Sequence, residues 1–204
     1  MSKHLVVVDV ESTGLVAERH VPLEVAAINV TTGEELYFVP FLHPEDLANA
    51  EPEAMQLNRY FERGVWRLAL PQAETETRYR QLFDMLSGNT FGGANARFDA
   101  EMVRYGYARA RQGVQVNRSM SSLMVPDETW HHRLSEVQSY YCGVMGTDPA
   151  EPPSLIAITE QLGLMYPEDQ QHSALADARV TAEAYRRLKT SRTATPDVNE
   201  EPKF

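Results

Sequence analysis

Three features of the 204-residue chain predict a mixed α/β fold. A β-branched apolar run opens the chain at residues 5–10, and two further strand-like runs follow closely behind it. The second half instead alternates short apolar runs with longer stretches of helical periodicity. Strands in immediate succession pair as an antiparallel meander, whereas strands separated by helices return parallel. Together the two halves predict a mixed five-stranded sheet with helices on both faces.

Val6, Val7, Val8 and Val10 build the first strand, and an apolar run of this kind suits a sheet covered on both sides. Ser12-Thr13-Gly14 reads as a turn, residues 23–30 as the second strand, 31–34 as a hairpin turn and 36–42 as the third strand. Residues 43–71 are rich in Pro and Glu and predict only short helical pieces. Met55, Leu57, Tyr60, Phe61 and Trp66 are expected to tuck onto the core from this segment rather than to line a groove. Tyr79, Leu82, Phe83 and Leu86 mark one face of a helix over residues 74–86, with Gly88 as its stop. Residues 90–94 form a short strand whose Gly92-Gly93 pair admits a close neighbour. Asn95 opens a helix running to about Gln112, and residues 114–120 are the expected last strand. Helices follow over residues 133–144 and 155–162, the second with Ser154 as N-cap. The final helix, over residues 173–189, carries two ridges: Val180, Ala184 and Leu188, and Ala174, Ala178 and Ala182. Residues 190–204 are polar with two prolines, which predicts one domain over residues 1–189 and a disordered tail.

The formal net charge is −10, with 43% hydrophobic and 24% charged residues. Proteins that coat long duplexes are usually basic, so this balance argues against such binding. It leaves room for an enzyme that grips a few phosphates through bound cations, whose charge the sequence does not count. One cysteine, Cys142, makes no internal disulfide and suggests a reducing compartment. The chain opens without a signal-peptide pattern, and no apolar run approaches the roughly 18 residues of a membrane span. A cytoplasmic protein without membrane association is expected; oligomeric state is not legible.

Asp9 and Glu11 interrupt the first strand one residue apart, so both side chains point to one face. Desolvating a carboxylate is costly, and two on one face also repel. Either a metal cation gathers them or the strand end is solvated. Asp99, in the first turn of its helix, and Asp177, set among Ala174, Ala176 and Ala178, are each explicable as helix-N-terminal acids. His172 stands five residues before Asp177. Histidines ordinarily titrate near pH ~6.5, so one beside carboxylates can serve as a general base. No zinc ligand set, P-loop, dinucleotide fingerprint or nucleophile elbow is present.

Val8-Asp9-Val10-Glu11-Ser12-Thr13-Gly14-Leu15, Asn95-Ala96-Arg97-Phe98-Asp99 and His172-Ser173-Ala174-Leu175-Ala176-Asp177 together resemble the three motifs of DEDDh-class 3′-to-5′ exonucleases. These form the proofreading-exonuclease-like branch of the ribonuclease-H-like superfamily. The resemblance spans residues 5–188, with the motifs in the family's order. It implies a ribonuclease-H-like fold and two-metal hydrolysis of nucleic acid 3′ ends, single-stranded DNA or RNA, to nucleoside monophosphates. Asp9, Glu11, Asp99 and Asp177 would hold two divalent cations, Mg²⁺ or Mn²⁺, and His172 would act as base. Ser12, Thr13, Gly14, Leu57 and Asn95 fall where relatives meet substrate, and Asn58 and Glu24 are weaker candidates. Ser12 replaces the more usual Thr. Arg97, Arg104, Arg109, Arg111 and Arg118 form the densest basic stretch, expected mainly as a solvated helix face. The alternatives are a non-catalytic nuclease-fold module and an accessory proofreading module bound to a DNA polymerase through residues 190–204. Repair, proofreading and RNA processing are equally open.

Overall fold

Strand β1 (Leu5–Ser12) lies at the centre of the sheet, its Val6–Val8 run apolar on both faces. The computed structural model describes residues 3–112 and 124–193. β1 pairs antiparallel with β2 (Pro22–Asn29), which pairs antiparallel with β3 (Glu35–Phe38). On its other side β1 pairs parallel with β4 (Thr90–Gly93), and β4 pairs parallel with β5 (Ser135–Glu136). The mixed five-stranded order β3-β2-β1-β4-β5 matches the predicted class.

Between the strands run α1 (Pro44–Ala48), α2 (Pro52–Asn58), α3 (Gln72–Leu86) and α4 (Ala96–Gln112). α5 (Val137–Met145), α6 (Leu155–Gln161) and α7 (Ala174–Thr193) follow β5. Alternation along β1 sorts the core. Val6, Val8 and Val10 join Tyr79, Leu82 and Phe83 of α3 and Met102 and Val103 of α4, whereas Val7 joins Ala174, Ala178 and Leu188 of α7. Burying such side chains stabilises the fold by about 1.5–3 kcal/mol each. Ser154 caps α6 as predicted, its hydroxyl accepting from the Ala157 amide at 3.2 Å.

Several boundaries differ from expectation. The expected strand over residues 114–120 lies outside the described residues; the fifth strand is Ser135–Glu136, inside the stretch read as helix. Its two residues lie alongside Gly92 and Gly93, where a Cβ at Gly92 would come within 2.7 Å of the Leu5 side chain. α7 continues to Thr193, so the first residues of the expected tail are helical. Residues 194–204 lie outside the described residues.

The segment after α2 divides its apolar residues. Tyr60 and Val65 are buried with Leu23 and Val39, and Met55 packs against them. Leu57, Phe61 and Trp66 are half exposed instead of tucked in. Among the described residues no helix is long and apolar enough to cross a membrane.

Candidate active site

Parity places the acids. Asp9 and Glu11 share the face of Val7, so they extend from the α7 side of the sheet at the C-terminal end of β1. α7 packs on that face and brings Asp177 from its first turn. Glu11, His172 and Asp177 each offer a ligand atom within 4.8 Å of the others. Asp99, from the first turn of α4, accepts a hydrogen bond from the Val10 amide on Oδ1 at 3.1 Å. Its Oδ2 is buried with no hydrogen-bond partner. Gly93 makes room for that oxygen, since a Cβ there would lie 3.2 Å from Oδ2 and 2.9 Å from the Val8 carbonyl.

The four carboxyls burden one another. Burial, then the charges of Asp99, Asp177, Glu11 and Glu24, hold Asp9 well above the usual carboxylate range. Burial also raises Asp99, with Glu11 and Asp177 adding to the effect against the Val10 amide. Glu11 is pushed up to about 8 by burial, Asp177 and Glu24, against the pull of Arg63. Asp177 is raised by burial, moderated by hydrogen bonds from the Tyr166 hydroxyl (2.8 Å, to Oδ1) and the nearby backbone. A group of acids this poorly compensated by the protein is suited to cations.

His172 is partly buried on the turn before α7, at φ +58°, a left-handed conformation unusual for a side-chain-bearing residue. Its carbonyl accepts from Arg63 Nη1 at 2.9 Å. Arg63 also holds Glu24 two-pronged, through Nη1 to Oε1 at 2.7 Å and Nη2 to Oε2 at 2.9 Å. Glu24, opposite Glu11 in the β1–β2 register, is fully buried and accepts from the Tyr37 hydroxyl at 2.7 Å as well.

The turn after β1 is held from within. Ser12 Oγ donates to the Gly14 carbonyl (2.8 Å), and Thr13 Oγ1 accepts from the Val21 amide (3.0 Å), so both hydroxyls are engaged inside the loop. A Cβ on Gly14 would meet the His20 ring at 2.7 Å. The loop presents Leu15 and Val16 to solvent. Asn58 is buried and its Nδ2 donates to the Ser12 carbonyl (3.1 Å), setting exposed Leu57 beside this turn. Asn95 is exposed; its carbonyl accepts from the Asp99 amide (3.1 Å), the first bond of α4.

Arg63 and Tyr166 were not among the sequence candidates. Both sit in irregular segments where no periodicity or motif marks them; the only signal was two polar residue types close in sequence to Asn58 and His172. The basic stretch on α4 is not a solvated face throughout, because Arg109 is buried and donates to the Glu18 (2.9 Å) and His20 (2.5 Å) carbonyls.

An open mixed sheet with acids converging at the end of its central strand defines a nuclease-like α/β protein of the ribonuclease-H-like superfamily. The exonuclease family model, RNase_T, matches residues 6–185, and the chain belongs to this family of DEDDh-type exonucleases. Among solved structures, Escherichia coli exonuclease I in complex with a dT13 oligonucleotide is similar at 19% identity and a TM-score of 0.67, covering 94% of this chain and 42% of that one. Exonuclease I from Methylocaldum szegediense is similar at 20% identity and 0.65, covering 95% and 42%. The zinc-bound E. coli exonuclease I–single-stranded DNA complex gives 18% and 0.63, covering 95% and 42%. The chain thus spans about two-fifths of the length of these structures, and the likeness is one of fold. A search of curated proteins finds no match.

Proposed function

We propose that the chain is a divalent-metal-dependent 3′-to-5′ exonuclease that releases nucleoside monophosphates from single-stranded or unpaired 3′ ends, with DNA as the favoured polymer. The observation that carries this reading is the meeting of Glu11, His172 and Asp177 within 4.8 Å, beside partly buried Asp9 and the unpartnered Oδ2 of Asp99. Support for the polymer comes from the oligonucleotide complex of E. coli exonuclease I.

The donor set fits hard divalent cations, because four carboxyls supply oxygen ligands and one buried oxygen lacks any other partner. Asp9, Glu11, Asp99 and Asp177 would hold them. Bound cations supply Lewis-acid stabilisation of phosphoryl charge and a more acidic water. His172 takes the proton from the attacking water. The oxygen of that water joins phosphorus, the bond to the 3′ oxygen of the penultimate nucleotide breaks, that oxygen takes a proton from solvent to become the new 3′ hydroxyl, and a nucleoside 5′-monophosphate leaves. Leu57, with Leu15 and Val16 across the Ser12–Gly14 turn, supplies apolar surface for the terminal base. The Gly14 amide is the group of that turn set to face the terminal nucleotide, since the Thr13 amide donates to the Val21 carbonyl and the Ser12, Thr13 and Gly14 carbonyls accept from Asn58, the Glu51 amide and Ser12 Oγ.

Digestion of 5′- and 3′-labelled single strands of DNA and RNA with Mg²⁺ or Mn²⁺ tests this. The 5′-labelled strand should shorten stepwise, and the 3′-labelled strand should yield labelled mononucleotide at once. Asp9→Ala and Asp177→Ala should reduce both to background while the proteins still melt cooperatively. His172→Ala should slow turnover by ~10²–10⁴-fold. Digestion by Asp9→Ala at the wild-type rate ends the proposal.

A further inference from the structure

Among the described residues, the left-handed backbone conformation occurs at two non-glycine positions, Arg59 (φ +49°) and His172 (φ +58°). They lie in the two segments of a single seam. Arg59 Nη2 donates across it to the Asp169 carbonyl at 2.8 Å, and Arg63 Nη1 donates to the His172 carbonyl at 2.9 Å. Such conformations cost free energy and persist only where surrounding contacts over-determine them. The surroundings here are specific. Arg63 reaches Glu24 with two nitrogens, and Nη1 also donates to the Asn58 carbonyl at 2.8 Å. Asn58 in turn holds the Ser12 carbonyl. Glu24 is anchored on β2 and 1% exposed, so the guanidinium is pinned to the sheet rather than to another loop.

We propose that the Glu24–Arg63 pair is a positioning device that fixes the strained His172 turn against the acidic cluster and ties it to the Ser12–Gly14 turn. The inference rests on the exonuclease reading for the role of His172. Arg63 donates to the carbonyl of His172 itself, so the pair bears directly on the residue proposed as base. Lysine cannot replace the fork, because one ammonium does not span both Glu24 oxygens in a fixed plane while reaching two carbonyls.

The experiment is a double-mutant cycle on Mg²⁺-dependent digestion of a single-stranded oligonucleotide, using wild type, Arg63→Met, His172→Ala and the double variant. Arg63→Met should lower kcat by ~10–100-fold with KM within ~3-fold, since misplacing a catalytic group by about 1 Å has an effect of this size. In the His172→Ala background the same substitution should lower kcat by less than ~3-fold. Equal losses in both backgrounds, or a loss confined to KM, overturn the proposal. Should Arg63→Met fail to melt cooperatively, Arg63→Lys carries the same cycle with a smaller expected loss. Histidine ring NMR signals, assigned to His172 by their absence in His172→Ala, give a readout independent of turnover. They should shift and broaden in Arg63→Lys and in Glu24→Gln, and unchanged signals overturn the proposal. A wild-type protein without activity removes the exonuclease reading and leaves that spectroscopic test standing.

Discussion

Glu11 shows how the site governs stability. Its carboxyl titrates at about 8 in the fold against an ordinary value of 4.5. Between those values the native protein keeps a proton that the unfolded chain has released, so unfolding gives up protons and metal-free stability falls as pH rises through this window. Asp9 and Asp99, raised for the same reasons, act in the same direction. In the presence of chelator the melting temperature should therefore fall between pH 5 and pH 8. Glu11→Gln should raise it at pH 8 by several degrees, since ~1 kcal/mol corresponds to ~2–4 °C in a chain of this size. Mg²⁺ or Mn²⁺ should restore stability more at pH 8 than at pH 5, because cations and protons compete for the same oxygens. A flat wild-type melting profile contradicts this account. In the sequence Asp9 and Glu11 stand out as charge in an apolar strand and Asp177 as an acid among alanines, whereas Asp99 and His172 are marked only by the motifs they sit in. Arg63 carries no such mark. Its partners lie 39 and 109 residues away, and only the closed fold makes them neighbours.

At the scale of elements, Gly106 tests how α3 and α4 pack. Glycine in mid-helix is ordinarily less stable than alanine by about 0.8–1 kcal/mol. Here a Cβ would run into the Tyr79 hydroxyl and ring of α3 and come within 3.0 Å of Pro22. Tyr79 is 1% exposed and already stacked on Tyr107 at 5.9 Å between ring centroids, so it has nowhere to withdraw. Gly106→Ala should therefore destabilise by ~1–3 kcal/mol, measured by urea denaturation, reversing the sign that helix propensity alone predicts. The periodicity of α3 was readable, whereas this contact was not, because helical spacing tells which face is apolar but not what it meets. β5 was missed for a related reason. Ser and Glu carry no strand signal, and their pairing is imposed by the open edge of β4. The opposite error, half-exposed Phe61 and Trp66, arose where apolar residues outnumber the places under Tyr60 and Val65.

For the whole molecule, the charge balance makes the last prediction. A net charge of −10 gives no general attraction for a polyanion. The α4 arginines add little: Arg109 holds a loop, Arg97 pairs with Glu101 at 3.2 Å, Arg104 donates to the Pro126 carbonyl at 2.9 Å, and exposed Arg111 lies over the Tyr107 ring at 5.5 Å. On the proposed exonuclease reading, binding is then expected to rest on the few phosphates nearest the acidic cluster, held with the help of cations. Each phosphate neutralised on a single strand contributes a slope of about −0.7 to log affinity against log salt. Contact with two or three phosphates therefore predicts a slope no steeper than about −2, measured as 1/KM for a single-stranded oligonucleotide from ~50 to ~200 mM KCl at fixed Mg²⁺. Strand length should matter little beyond the first few nucleotides for the same reason. A slope near −5, or a KM that keeps falling as the strand lengthens, would instead show an extended basic track along the strand. A shallow slope combined with a strong Mg²⁺ dependence of KM would place the attraction for the 3′ end in the metal site itself.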